Sequence, residues 1–466
     1  LQMTGDGTLP CGGNLFLDYV CTLSSAEKGY LFSQPACALF VFRMLPKVSQ
    51  QMVIKMIWNS NVSSTMAQQP TSAEIGVAEK LLKSLGLVTS SDKLHPVFRQ
   101  SYLRSIMLGS QKCAKINSVE VDVKRRQNEK ELGKKASERW ECILRYLALP
   151  SDKNMSSVSS TTRELFSAAG FTSDNDGSAD LEITSAGFQF LLLSPVHQLW
   201  TYMIEYLKLE SFKGRDIRPV LELLIRVILC VVRGGGFSQT AFEISSNWTE
   251  DQTTLIMHMR ELGLIFIRKR KDGVFFLTPL LVNLCSSVND EENAGVARRL
   301  DERRSGNIIV ETNFRLYAYT SSSLQLAILS TFTEMTYRFH DMSVGVLTRE
   351  SVRRALQVGI TAAQIISFLR SNAHPQCIAT GGPLNCLPVT VADQIRLWED
   401  ERRRLTFTEA TLYSTFEGDS EFIGVRDFSM REGILLWADS DKKLVIVSDE
   451  GHEKVRGWWK ANKATM

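Results

Sequence analysis

The sequence predicts a mainly α chain with small β hairpins, an α+β protein. It is expected to hold tandem winged-helix-like units, a central connector unit and a C-terminal β-α-β-β-α unit. Three observations carry the expectation. Apolar side chains recur at helical spacing through most of the chain. The order helix, glycine, apolar strand appears four times, in Ser84-Leu-Gly-Leu-Val88, Ala168-Ala-Gly-Phe171, Glu261-Leu-Gly-Leu-Ile265 and Arg431-Glu-Gly-Ile-Leu435. A length of 466 residues divides into roughly three or four domains of ordinary size.

The glycine has a physical reason. A helix that turns sharply into a strand needs a left-handed residue at its stop, which glycine adopts without steric penalty. The same order occurs in unrelated folds, so it marks small helix-plus-hairpin units and nothing more. The segments expected are residues 1–118, a helical or winged-helix unit; 119–210 and 211–300, two further winged-helix-like units; 301–399, the connector; and 400–466, the terminal unit.

Residues 12–60 read as helical, with Leu15, Phe16, Tyr19, Val20 and Leu23 on one stripe and Gln34-Pro35 starting a fresh helix. Such side chains form core or partner surface, and core is the plainer reading. A helix over 71–85 ends at Gly86. Residues 119–135 mix Lys124-Arg-Arg126 with glutamates, the composition of a solvated linker or exposed helix. An amphipathic helix over 138–147 follows, then polar loops at 151–160 and 172–180. Leu199, Met203, Tyr206 and Leu207 stripe a helix over 197–209, and the nearly continuous apolar run 220–232 is a buried helix.

Residues 249–261 predict a helix and 264–277 a hairpin turning at Asp272-Gly273. Its tip carries Arg268, Lys269, Arg270 and Lys271. Such a tip fits a wing on DNA phosphates, a nuclear-import signal or a solvated turn.

The connector opens with a strand over 308–319, in which Val310, Phe314, Leu316 and Ala318 alternate with polar residues and tyrosines. A helix over 324–339 is expected from the stripe Leu324, Ile328, Phe332 and Met335. A short helix over 348–356 stops at Gly359, Thr361 caps a helix over 362–371, and a last helix runs from Val391 into the charged stretch 399–404. The terminal unit reads as a strand over 405–413, a helix over 420–431, hairpin strands over 434–438 and 443–448, and a helix over 450–462. Three strands leave an edge and an apolar face uncovered. Trp437, Trp458 and Trp459 supply area for an interface or for the small core.

Composition excludes several classes. Hydrophobic content of 44% and charged content of 23% fit a globular protein. A formal net charge of +3 is too mild for a whole-surface nucleic-acid binder, so any DNA contact is local. No run approaches ~18 consecutive apolar residues, and no membrane span or signal peptide is expected. Because the chain starts at Leu1, the natural N-terminus is expected to differ. Nine cysteines without a Cys-x-x-Cys pair fit a reducing compartment.

His374, Cys377 and Cys386 lack a fourth zinc ligand at any usual spacing and read as loop residues. Gly234-Gly-Gly236 and Gly381-Gly382 lack the Gly-Lys-Ser/Thr that would make a phosphate loop. The six histidines stand apart from any nucleophile elbow, metal pair or paired carboxylates. No catalytic group, metal or cofactor is expected.

Several strings resemble a known family. Ile309-Val-Glu-Thr-Asn-Phe-Arg-Leu-Tyr-Ala-Tyr-Thr320, Gly359-Ile-Thr-Ala-Ala-Gln-Ile-Ile-Ser-Phe-Leu-Arg370, Ala373-His-Pro375 and Asp393-Gln-Ile-Arg-Leu-Trp-Glu399 are similar to the fifty-two-kilodalton subunit of the transcription and repair factor TFIIH. Ile183-Thr-Ser-Ala-Gly-Phe-Gln-Phe-Leu-Leu-Leu193 and Glu261-Leu-Gly-Leu-Ile-Phe-Ile-Arg-Lys-Arg-Lys271 resemble it too. The resemblance implies a nuclear, non-enzymatic subunit that anchors and stimulates the xeroderma pigmentosum group B translocase. Docking is then expected at Arg315, Tyr317, Tyr319, Arg349 and Arg370. The terminal unit would pair with the smallest TFIIH subunit through Phe407, Leu412, Leu435, Trp437, Val445 and Val447, and the N-terminal units would meet the thirty-four-kilodalton subunit. The rival class is a free-standing tandem winged-helix DNA binder that uses residues 268–271.

Overall fold

A computed structural model describes residues 14–58, 72–88, 93–120, 128–149, 158–174, 181–231, 240–269, 272–281, 284, 306–404, 409–416 and 418–462. The chain divides into two compact units, Leu1–Arg396 and Leu397–Met466.

The first unit opens with α1 (Leu15–Thr22), α2 (Ser25–Ser33), α3 (Pro35–Met44), α4 (Lys47–Trp58), α5 (Ser72–Ser84) and α6 (Pro96–Ala114). Then come β1 (Ser118–Glu120), α7 (Glu129–Ala148), α8 (Ser160–Ala168), β2 (Thr172–Asp174), β3 (Leu181–Ile183), α9 (Ser185–Leu192), α10 (Pro195–Phe212) and α11 (Ile217–Val231). β4 (Thr240–Glu243), α12 (Glu250–Glu261), β5 (Ile265–Phe266) and β6 (Val274–Leu277) follow. The connector supplies β7 (Ile308–Val310), β8 (Arg315–Ala318), α13 (Ser323–Phe332), β9 (Glu334–Arg338), β10 (Ser343–Val346), α14 (Arg349–Gln357), α15 (Ala362–Ser371), α16 (Pro375–Asn385) and α17 (Val389–Arg403). The second unit holds β11 (Ala410–Tyr413), α18 (Asp419–Arg431), β12 (Leu435–Asp439), β13 (Leu444–Ser448) and α19 (Asp449–Asn462).

This is a mixed α+β protein with small antiparallel sheets, in the orders β1-β4-β6-β5, β7-β8-β10-β9, β11-β13-β12 and β2-β3. Helix starts are written in the sequence. Ser24 with Glu27, Thr249 with Gln252 and Thr361 with Gln364 form reciprocal capping boxes. Aromatic side chains fill the helical core: Phe16 packs edge-on to Phe40 at 5.0 Å, and Trp140 to Tyr202 at 5.8 Å. The stripe expected in residues 12–60 is largely internal, with Phe16, Tyr19, Val20 and Leu23 all buried.

All four repeated glycines are left-handed: Gly86 (φ 75°), Gly170 (φ 69°), Gly263 (φ 80°) and Gly433 (φ 69°). The last three lead into strands, whereas after Gly86 the described residues form the isolated bridge between Val88 and Leu94. The hairpin expected at 264–277 is present, and it gains β4 and β1 as further strands.

Four expectations are corrected: the polar loop expected at 172–180 opens instead as β2, whose Thr172–Asp174 pair with Leu181–Ile183. Residues 308–319 are two strands, because Asn313 Oδ1 accepts the Arg315 N–H at 2.9 Å and Phe314 turns left-handed (φ 67°), folding the run into a hairpin. The helix expected over 324–339 stops at Phe332, since Thr333 is extended and Met335-Thr-Tyr-Arg338 pairs with β10. Residues 375–385 are the helix α16 with a break at Gly382 (φ 75°), where a loop was expected; Pro375 starts it and His374 caps it. Phe407, Arg270, Lys271 and the stretches 124–126 and 234–236 lie outside the described residues.

Candidate interaction faces

The connector sheet has two unlike faces because its strands alternate. Ile308, Val310, Leu316, Ala318 and Ser343 point inward and are buried. The other set forms a row across all four strands: Ile309 opposes Tyr317, Tyr317 opposes Val344, and Val344 opposes Tyr337. Tyr337 is 60% exposed, Phe339 57% and Tyr319 47%, and the Tyr337 and Phe339 rings stack at 6.3 Å. Tyr337, Phe339 and the half-buried Tyr317 and Val344 lie on one side of the sheet, the kind of grouped apolar surface that marks an interaction site.

The sheet's two edges also differ. β7 is closed by residues 372–374, where the Ile308 N–H donates to the Asn372 carbonyl at 3.0 Å and the His374 N–H to the Ile308 carbonyl at 2.8 Å. β9 pairs only with β10 among the described residues, and charged Glu334 and Arg338 lie along it.

Arg315, Tyr317 and Tyr319 fall on the outward side of β8 and its continuation. Arg315 is exposed opposite Val346. Arg349 and Arg370 stand on α14 and α15, outside the strand row; Arg349 is exposed and Arg370 half-buried. Sequence reading missed Ile309, Val344, Tyr337 and Phe339. The alternation that would have found Tyr337 was hidden by Ile328, Phe332 and Met335, which also fit a helical stripe.

The terminal unit repeats the arrangement at smaller scale. Phe422, Val425, Val445, Val447 and Val455 form its core, with Leu435, Trp458 and Trp459 packed against it. On the opposite face Leu412 and Trp437 both align with Ile446 across the central strand, 55% and 49% exposed. Leu436 is 52% exposed beside them, in the strand irregularity between Leu435 and Trp437. Of the residues expected to pair with a small partner, Leu412 and Trp437 therefore lie outside, while Leu435, Val445 and Val447 belong to the inner side.

Arg268 and Lys269 are exposed beyond β5, and Lys135 sits over the Phe266 ring at 5.3 Å.

One polar cluster is sealed inside the helices. Tyr202 Oη lies 2.9 Å from Thr162 Oγ1 and 3.2 Å from His258 Nε2, while Tyr206 stacks on that imidazole at 4.5 Å. Glu261 accepts the Ser159 N–H at 2.9 Å and lies 3.8 Å from His258 Nδ1. Burial raises the Glu261 pKa, but the nearby His258 imidazole and the hydrogen bond from Ser159 outweigh it and lower the carboxyl to about 2. Burial also pushes the Tyr202 hydroxyl above its ordinary range. These groups satisfy one another and hold the start of α8 against α12. Among the described residues no three metal-ligating side chains come together, and no helix is long and apolar enough to cross a membrane.

Two sheets, each buried on one side and partly open on the other, define the class: an α+β protein that offers apolar sheet faces. The chain belongs to the Tfb2 family, matching the family described as "Transcription factor Tfb2" over residues 18–375 and "Transcription factor Tfb2 (p52) C-terminal domain" over 393–460. It is 30% identical to "General transcription factor IIH subunit 4" of Dictyostelium discoideum, over 96% of this chain and 98% of that one. It is 30% identical to "General transcription and DNA repair factor IIH subunit TFB2" of Saccharomyces cerevisiae, over 94% and 95%. The Arabidopsis thaliana protein of the same name is 28% identical over 95% and 96%.

Proposed function

We propose that this chain is a nuclear, non-enzymatic subunit of TFIIH that anchors the xeroderma pigmentosum group B translocase and stimulates its ATPase. The observation that supports the reading is the outward row on the connector sheet, half-buried at Ile309, Tyr317 and Val344 and exposed at Tyr337. Arg315, Tyr319 and Phe339 extend it, and Arg349 and Arg370 serve at its margin. The connector contributes binding energy and orientation, which raise the local concentration of the translocase at DNA, and no catalytic group.

The terminal unit pairs its outer face, around Leu412, Leu436 and Trp437, with the smallest TFIIH subunit, while Phe407 precedes β11 on the chain. Residues 1–118 meet the thirty-four-kilodalton subunit. Segments 119–210 and 211–300 serve as winged-helix-like spacers, a reading supported by the left-handed glycines that lead α8 into β2 and α12 into β5. DNA is met weakly or through the partner.

Reconstitution tests the proposal. The purified chain is expected to hydrolyse no ATP, to bind the translocase in high salt and to raise its DNA-dependent ATPase. ATP hydrolysis by this chain, or a translocase whose rate is indifferent to it, contradicts the proposal.

A further inference from the structure

Two contacts, each spanning more than 150 residues of sequence, tie the connector to the helices of residues 129–192. At the first, Ser322 Oγ, in front of α13, donates to Glu141 Oε1 at 3.0 Å, and Arg145 donates to the same oxygen at 2.9 Å. α13 packs along α7 there. At the second, Gln189 Nε2 donates to the Gly359 carbonyl at 2.8 Å, where α9 packs on α15.

Gly359 stops α14 in the left-handed region (φ 94°), and its bare backbone fits against Ser185. A Cβ there would collide with Ser185 Oγ and stand 3.1 Å from Ser185 Cβ. Glycine is thus required twice at one position, for its backbone angle and for the closeness of the neighbouring helix.

Both contacts engage the connector's helical elements, and neither uses the outward strand row. We infer that Glu141, Ser185, Gln189 and Gly359 form a two-point clamp that fixes the pose in which the connector presents its sheet, making them positioning residues for the docked translocase. The inference rests on the docking proposed above. Ser322 donates to a carboxylate and Gln189 to a backbone carbonyl, so loosening either point leaves the other as a hinge. Binding then persists, but the partner is no longer oriented.

The test uses the full chain with genetically encoded spin labels at exposed Lys134 and Thr336, one on each side of the clamp. The unaltered chain is expected to give one narrow distance distribution. Gln189→Ala, and more strongly Gly359→Val, should broaden it with circular dichroism unchanged. Translocase affinity should stay within about twofold while stimulation of its ATPase falls at least about threefold. Ser185→Gly should narrow the distribution only in part in Gly359→Ala, because it removes the colliding side chain and leaves the backbone angle strained.

A narrow distribution in folded Gln189→Ala and Gly359→Val overturns the clamp, as does a broad one with stimulation intact. If the unaltered chain fails to bind the translocase, the docking proposal falls instead. The clamp's own distance readout still stands or fails with the variants.

Discussion

Val447 and Leu412 lie on neighbouring strands of the terminal sheet but face opposite ways, and substituting them should separate core from partner surface. Val447 is 0% exposed within the core of Phe422, Val425, Val445 and Val455. Val447→Ala removes two methyl-sized groups, at about 0.8 kcal/mol each, and leaves a cavity, so a loss of about 2 kcal/mol is expected. Leu412 is 55% exposed, so Leu412→Ser forfeits only part of a side chain's burial and should cost under about 1 kcal/mol. Native-state hydrogen exchange of β13 amides in the full chain reads both. Val447→Ala should speed opening about 30-fold and Leu412→Ser by less than about fivefold. Equal acceleration by the two would refute the division into inner and outer faces.

Three further outcomes are expected. Glu261 is held below its ordinary pKa, so it adds stability that is present above pH 4.5 and lost as pH falls toward about 2. Acid unfolding followed by circular dichroism should show a shallower loss of stability between pH 4.5 and about 2 in Glu261→Gln. Gly263→Ala should lower the melting midpoint well beyond Gly433→Ala. Both glycines are left-handed, but a Cβ at 263 meets the Ala136 carbonyl oxygen at 2.7 Å, whereas one at 433 meets nothing within 4 Å. In a DNA titration, changing Arg268, Lys269, Arg270 and Lys271 to alanine should leave an already shallow salt dependence nearly unchanged, and a steep slope abolished by the change would favour a direct DNA-binding wing.

Much of the helical fold was legible because local chemistry and long-range packing agree. Thr361 with Gln364 starts a helix, Gly359 stops one, and Phe16, Tyr19 and Val20 are buried as their spacing demands. The terminal β-α-β-β-α order was legible for the same reason, since each strand is short and bounded by turn residues. The connector's strands were harder. The turn at Glu311–Phe314 depends on Asn313 closing on Arg315, and no glycine or proline announces it. β9 follows α13 with no glycine or proline between them, and Met335 continues the helical stripe of Ile328 and Phe332, so the strand was hidden. Outward positions on the sheet were legible only where alternation was clean, as at Arg315, Tyr317 and Tyr319. The row forms only when two hairpins, β7-β8 and β9-β10, pair through β8 and β10, which no local pattern announces. Val445 and Val447 show the converse: alternation marks two faces but does not say which one meets helices.

The most direct test of the account is the affinity of the translocase for the full chain carrying Tyr317→Ser, Tyr337→Ser or Phe339→Ser. An aromatic anchor at the centre of an interface holds roughly 1–2 kcal/mol or more, so each change should weaken binding about tenfold while the melting midpoint holds. Binding unaltered in all three folded variants would contradict the assignment of the connector sheet as the docking face.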